Sequence, residues 1–262
     1  MVIKKIQQKQ APMIRDPYRN NPLFESIRQT VKPGDVVVDL GAGLGILSFE
    51  AIKAGAKKVY AIECHPEMAL FGKKEIERRG LKGKIEWISK LSYEAELPEL
   101  ADVLIQETIG SLGFEENFLS ALQDAKKRFL KPNAKIIPAS ITLYGAPVKD
   151  CIMKEGTWRV QALRPEQLLA KPKKLITIDS KKNDTEKLDI QAEWKVSKNE
   201  KISSIALWPE IVWMPGQITD ASPAKPLTHW KQAIVSSKKP SLHLRITPNP
   251  VAPRTQTEIL WK

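Results

Sequence analysis

Cysteine and histidine are scarce in this chain: Cys64 and Cys151 are its two thiols, and three histidines complete the set of nitrogen and sulfur ligands in 262 residues. So small a set excludes a disulfide framework and a structural zinc site of ordinary spacing, and no resident metal is expected. No uninterrupted apolar stretch approaches the ~20 residues that cross a bilayer. The amino end, M-V-I-K-K-I-Q-Q-K-Q, lacks the apolar core of a signal peptide. A cytoplasmic protein with no membrane partner is the expectation. Acidic charge is in deficit, 30 Asp and Glu against 42 Lys and Arg, which leaves +12. Residues 1–148 carry 22 basic and 18 acidic side chains, residues 149–262 carry 20 and 12, so the second part is the more basic. Such an excess favours acidic or polyanionic partners and says nothing about fold. No aromatic-basic reading motif accompanies it, and a nucleic-acid partner is not favoured.

Strand and helix signals alternate from about residue 20 to 147. Val36 to Leu40 is a β-branched run between Pro33-Gly34 and a glycine cluster, the pattern of a buried parallel strand. Helical periodicity runs from Ile46 to Ala54 and stops at Gly55. A second strand is expected over Lys57 to Glu63, a second helix over Glu67 to Arg79 before Gly80, a third strand over Lys84 to Ile88 and a fourth over Ala101 to Gln106. Another helix is expected over Glu116 to Phe129, then a turn over Lys131 to Lys135. These repeats predict an α/β fold, a doubly wound, mostly parallel Rossmann-like sheet. Past residue 148 short alternating stretches replace the helices: Leu175 to Asp179, Leu188 to Val196, Ile211 to Trp213, Trp230 to Val235, Ser241 to Ile246 and Thr257 to Trp261, with one helical piece at Pro165 to Leu169. They predict a C-terminal antiparallel β domain, barrel-like or a sandwich, whose six tryptophans read as core. The expected division is residues 1–147 and 148–262.

The turn after the first strand is Asp39-Leu40-Gly41-Ala42-Gly43-Leu44-Gly45, and its spacing is G-x-G-x-G. Glycine there lets the backbone turn sharply and approach a ligand closely; a tight strand-to-helix turn with no ligand needs the same residues. A dinucleotide fingerprint wants glycine where Ile46 stands, which weakens a pyrophosphate reading. Glu63, at the end of the second strand, is placed to accept ribose hydroxyls. Strand, glycine loop, helix, strand and acid together are the arrangement for S-adenosylmethionine.

The stretch from Val36 through Cys64 resembles the first two motifs of class I methyltransferases, and more narrowly of the protein arginine methyltransferase family. Ala101 to Glu116, A-D-V-L-I-Q-E-T-I-G-S-L-G-F-E-E, is similar to that family's double-glutamate loop, with Glu107 and Glu116 at the acidic positions; Thr228-His229-Trp230 matches its T-H-W loop, and Met13-x-x-Asp16-x-x-Arg19 its amino-terminal element. The resemblance covers most of the chain. It implies a methyl transfer from S-adenosyl-L-methionine to an arginine nitrogen of a protein or peptide, with Glu107 and Glu116 on the guanidinium and His229 paired with Asp16. It further implies a cofactor site of Met13, Arg19, Asp39, Gly41, Gly43, Gly45, Leu47, Glu63, Cys64 and Glu107, in which Arg19 meets the cofactor carboxylate and the Ser92, Tyr93, Glu94 stretch meets the adenine.

Each of these residues also has a plainer explanation. Glu116, or its neighbour Glu115, suits a helix first turn; His229 suits packing; Arg19 suits the surface; Asp16 before Pro17 suits a helix N-cap. The chain departs from the family in four places. No tyrosine-rich helix precedes Met13, Thr108-Ile109 stand where Trp-Met is common, Phe118 replaces a smaller residue, and no helical hairpin follows Pro147. A compact form without the dimerisation arm is therefore expected, with its oligomeric state open. The competing functions are a methyltransferase for a small-molecule or modified-peptide nitrogen and a noncatalytic relative that binds a partner. A nucleic-acid methyltransferase ranks lower, for no N-P-P-Y-type motif follows the fourth strand.

Overall fold

The computed structural model describes residues 10–247 and divides into two compact units. One takes in the chain through Thr108 together with Ser120–Ala139 and Trp213–Gln217; the other holds Ile109–Leu119, Ser140–Val212 and the chain from Ile218.

The first unit is built on a sheet of five strands in the order β3-β2-β1-β4-β5, comprising β1 (Val36–Leu40), β2 (Lys58–Ile62), β3 (Ile85–Ile88), β4 (Ala101–Gln106) and β5 (Leu130–Ile137). Every pairing is parallel. β1 is the middle strand and its five residues are all buried, as expected of a β-branched run covered on both faces. Each of Val36, Val37 and Val38 then contributes about 1.5–3 kcal/mol of apolar burial. Helix Pro17–Thr30 precedes β1, and helices Ile46–Lys53, Pro66–Arg78 and Phe118–Arg128 belong to the connections. The order reverses between β1 and β4, so the crevice at their carboxyl ends is the ligand position of such sheets. Trp87 on β3 fits against Gly72: a Cβ there would come within 2.2 Å of the indole, so only glycine admits this contact.

In this unit strand and helix limits agree with the sequence pattern to within about two residues, with two corrections; in the second unit the strand expected over Ile211 to Trp213 runs from Ser204 to Met214, and the one expected over Leu188 to Val196 ends at Glu193. Lys131 to Lys135 is not a turn but the middle of β5, pinned by Lys131 Nζ on Asp102 at 2.7 Å. The last helix starts at Phe118, because Asn117 takes a left-handed φ of 64° and holds Glu116 outside it.

In the second unit every strand pairing is antiparallel. A six-stranded sheet has the order β7-β12-β10-β6-β8, with β11 on β10; its strands are β6 (Ser140–Val148), β7 (Trp158–Gln161), β8 (Lys173–Asp179), β10 (Ser204–Met214), β11 (Gln217–Asp220) and β12 (Gln232–Ser236). β9 (Leu188–Glu193) and β13 (Ser241–Ile246) form a separate two-stranded sheet. The expected antiparallel β domain is present as two separate sheets, the larger ending in β7 and β8, and not as one closed barrel among the described residues. Trp194, Trp208, Trp213 and Trp230 are buried, whereas Trp158 is 39% exposed. The strand read over Thr257 to Trp261 lies outside the described residues. Among the described residues no helix is long and apolar enough to cross a membrane.

Candidate active site

The crevice of the first unit begins with the glycine loop. Gly41, Gly43 and Gly45 have φ of 77°, 56° and 78°, values that side-chain-bearing residues rarely adopt. A Cβ on Gly41 would also lie 2.6 Å from Thr108 Cγ2, and one on Gly45 2.9 Å from Trp87. The loop is anchored by Gly41 N and Ala42 N, which both donate to Ile62 O at 2.9 and 3.0 Å. Leu47, in the helix that follows, is buried.

Glu63 stands one residue past β2. Its two oxygens accept from Gly43 N at 2.9 Å and His65 N at 2.8 Å, which fixes the carboxylate beside the loop. Each oxygen still has a lone pair for a further donor. Glu63, Cys64 and His65 place their ligand atoms within 4.8 Å of one another. Burial pushes the Cys64 thiol up to about 11, however, so it stays protonated, and Glu63 is already engaged by N–H donors. The trio has the chemistry of a hydroxyl acceptor rather than of a metal cage.

Asp39 is 1% exposed and accepts Ser48 Oγ at 2.6 Å through Oδ2. Burial, with further contributions from the charges of Glu63 and Glu107, pushes its carboxyl up to about 7. Its Oδ1 has no hydrogen-bond partner.

Arg19 is reached from the other side. Asp16 caps the Pro17–Thr30 helix, accepting Tyr18 N and Arg19 N at 3.0 and 3.1 Å, so the N-cap explanation holds. Met13 lies one turn earlier, its carbonyl and that of Ile14 accepting Asn20 Nδ2 at 3.3 and 2.7 Å. Arg19 is no surface residue: it is 3% exposed and its Nη2 forms an ion pair with Glu107 Oε2 at the end of β4. Nη1 donates to Asn20 Oδ1 at 2.6 Å, and Nε has no partner. Two buried polar atoms, an acceptor on Asp39 and a donor on Arg19, thus remain open beside a backbone cradle. A ligand carrying both an ammonium and a carboxylate satisfies such a pair, and the amino-acid end of S-adenosylmethionine is one.

Sequence reasoning missed Gln10. Its amide lies against Gly43, where a Cβ would sit 3.4 Å from Nε2; Nε2 donates to Met68 Sδ at 3.4 Å, and Oε1 is buried without a partner. No motif signals this residue. In the Ser92–Glu94 turn, Ser92 O accepts Arg128 Nη2 at 2.6 Å, Tyr93 Oη lies 3.1 Å from Ser120 Oγ, and Glu94 is exposed.

The second unit holds the remaining candidates. Trp230 Nε1 donates to Ile109 O at 2.5 Å and Ser111 Oγ to Trp230 O at 2.7 Å, so the T-H-W segment and the loop 109–119 are one assembly. The His229 ring lies 4.1 Å from that of Trp230, centroid to centroid. Glu115 turns back into the loop: both of its oxygens accept Leu112 N at 2.9 Å, and a Cβ on Gly110 would clash with its carboxylate at 2.1 Å. Burial pushes this carboxyl up to about 7. Glu115 is therefore the loop's internal brace, and Glu116 beside it is exposed.

Two family models match, each over one part of the chain. Residues 19–129 match the model described as a TRM5/TYW2 methyltransferase domain, and residues 142–242 one described as an arginine methyltransferase oligomerization subdomain. The second match covers the part of the chain in which the dimerisation arm was expected to be lacking, and among the described residues no α-helix follows Pro147. Histone-arginine methyltransferase CARMER of Drosophila persimilis is 31% identical over 238 residues, covering 75% of this chain and 44% of that protein. Probable protein arginine N-methyltransferase 6 of Arabidopsis thaliana is 28% identical over 293 residues, covering 85% and 67%. The chain spans about half the length of most of the curated relatives it matches. Among solved structures, the Trypanosoma brucei PRMT1 enzyme-prozyme heterotetrameric complex with AdoHcy superposes with a TM-score of 0.80 at 18% identity, covering 98% of this chain and 96% of that one. Arabidopsis thaliana protein arginine methyltransferase 10 gives 0.79 at 20%, covering 91% and 86%.

Proposed function

We propose, on the premise that this chain has the class I methyltransferase fold in the form shared by the arginine methyltransferase superfamily, that it transfers a methyl group from S-adenosylmethionine to a guanidinium nitrogen of a protein or peptide. One observation carries the reading: Glu107, at the switch point of the sheet, is a buried carboxylate already paired with a guanidinium, that of Arg19. Planar guanidinium binds carboxylate through paired N–H donors, and the acceptor's guanidinium would meet Glu107 in the same way.

The bound donor supplies a methyl group on a sulfonium, and that group leaves as the thioether. The chain supplies position and charge. Glu63 accepts the ribose hydroxyls, Gly41, Gly43 and Gly45 give the close backbone approach, and Leu47, Cys64 and Met13 line the site. Arg19 and Asp39 hold the carboxylate and ammonium of the amino-acid end, and the Ser92–Glu94 turn takes the adenine. Donor and acceptor are both cationic, so the negative field of Glu63 and Glu107, strong enough to raise Asp39, lowers the cost of bringing them together. Glu107 concentrates the acceptor's positive charge on the nitrogens it touches and leaves the remaining one richer in electrons, and Glu116 has the chemistry for the same task. Holding that nitrogen in line with the methyl and sulfur supplies much of the rate. A new N–C bond forms as the S–C bond breaks, and the nitrogen's proton passes to a base, for which His229 has the chemistry. The oligomeric state belongs to the same proposal: residues 142–242 act as an assembly element, as the description of their matching model implies.

The test is Glu107→Gln in the full chain. Affinity for S-adenosylhomocysteine by calorimetry should stay within about threefold, since the ribose and glycine contacts are intact, while methyl transfer to an arginine peptide falls by at least about a hundredfold. Unchanged transfer would refute the acceptor role of Glu107. A small-molecule acceptor would show as label in that fraction instead.

A further inference from the structure

The second unit has a feature that methyl transfer does not use. β7 is the outermost strand of the six-stranded sheet, paired on one side with β12 through Val160↔Ala233 and Trp158↔Val235. Sheet edges are usually guarded by charge, proline or a covering segment, because unpaired N–H and C=O groups invite another strand. β7 carries the exposed Arg159, but at the alternate positions it exposes apolar side chains, Trp158 at 39% and Val160 at 44%, and Ile152, six residues before it, is 86% exposed.

The edge is surrounded by lysine. The loop 194–203 leads from β9 to β10 and the loop 237–240 from β12 to β13. Both span the same gap, because Ser204 pairs with Ser236 on one sheet and Glu193 with Ser241 on the other. Trp194 N donates to Pro240 O at 2.7 Å and so joins them. Ser236, the last residue of β12 before the second loop, donates its N–H to Thr157 O at 3.2 Å, next to the start of β7, and the end of the first loop meets the segment leading to β7, where Cys151 N donates to Ser203 Oγ at 2.9 Å and Ser204 Oγ to Cys151 O at 2.7 Å. These loops carry Lys195, Lys198, Lys201, Lys238 and Lys239 against one acid, Glu200; all five lysines are exposed and none is in an ion pair.

We propose that the edge of β7, flanked by the lysine loops 194–203 and 237–240, docks an extended acidic segment of another protein that carries apolar side chains at alternate positions. The strand edge supplies backbone hydrogen bonds, Trp158, Val160 and Ile152 supply apolar anchors, and the lysines supply charge complementarity. A second copy of this chain is the poorer fit, because at +12 it presents like charge. Nucleic acid would use the lysines and leave the strand edge unpaired. The inference is independent of methyl transfer, and its test requires no turnover.

The probe is a labelled peptide alternating Asp or Glu with Leu, compared by fluorescence anisotropy with an all-acidic peptide, a Lys-Leu peptide and a single-stranded RNA of equal charge. The acidic-apolar peptide should bind at least about tenfold more tightly than any of the other three and weaken as salt rises. A Lys198→Glu, Lys238→Glu, Lys239→Glu variant and Trp158→Ala should each lose about tenfold or more with unchanged circular dichroism. In the unaltered protein, hydrogen exchange should slow at residues 158–161 on peptide binding, a readout that needs no variant. RNA binding as tight as the peptide's, self-association abolished by Trp158→Ala, or absence of protection at 158–161 would each overturn the proposal.

Discussion

The Arg19–Glu107 pair is the most informative perturbation because it lies at the centre of the crevice and both side chains are nearly out of solvent, 4% and 9% exposed. Removing one member of such a pair leaves the other charge in a poorly solvated place, a loss of about 3–5 kcal/mol. Glu107→Gln keeps the shape and leaves an amide oxygen for Arg19, so its cost belongs at the lower end, about 3 kcal/mol. Arg19→Met takes the guanidinium away from the Glu107 carboxylate, so its cost belongs at the upper end, about 5 kcal/mol. The double variant has neither charge to strand. The double-mutant cycle should therefore be non-additive by about 2–3 kcal/mol at neutral pH. Urea unfolding followed by circular dichroism and by tryptophan fluorescence measures each corner, the two probes checking that the units unfold together. Additivity within about 0.5 kcal/mol would show that the pair is not a coupled buried interaction, and the charge argument for the crevice would fall with it.

Three further predictions follow from the same geometry. Asp39 and Glu115, raised to about 7 from ordinary values of 3.8 and 4.5, hold their protons more tightly folded than unfolded, so the stability these two groups contribute is full below about pH 4 and is lost as pH rises to about 7. Asp39→Asn should flatten that decline by up to about 4 kcal/mol, and an unaltered slope would reject the raised pKa. Binding the cationic S-adenosylmethionine near neutral pH should expel more protons than binding the uncharged-sulfur product, read as a difference in binding enthalpy between buffers; equal release would remove Asp39 from the site. Gly41→Ala, which puts a Cβ 2.6 Å from Thr108 at a φ of 77°, should weaken product binding by at least about tenfold while Gly80→Ala, in open space, does not; equal affinities would discount the glycine loop.

What was legible in the sequence was what local pattern encodes. The buried run Val36 to Leu40, the glycines after it and the carboxylate after β2 follow each other within one strand-helix-strand unit, and the structure assembles them as read. Lys131 to Lys135 looked like a turn because proline, asparagine and charge dominate it, yet pairing with β4 decides its conformation. β6 went unread because Gly145 and Pro147 interrupt its pattern. The Arg19–Glu107 pair joins residues 88 positions apart, and no spacing rule reaches that far. Glu115 and Glu116 are indistinguishable as letters; only the fold of the loop sends one inward to Leu112 N and leaves the other exposed.

The most direct measurement is fragmentation mass spectrometry of an arginine-containing protein after incubation with the full chain and isotopically labelled S-adenosylmethionine. The label should reside on a guanidinium nitrogen and disappear with Glu107→Gln although that variant still binds the cofactor. Label on any other atom, or none at all from a chain that binds the cofactor, would contradict the assignment.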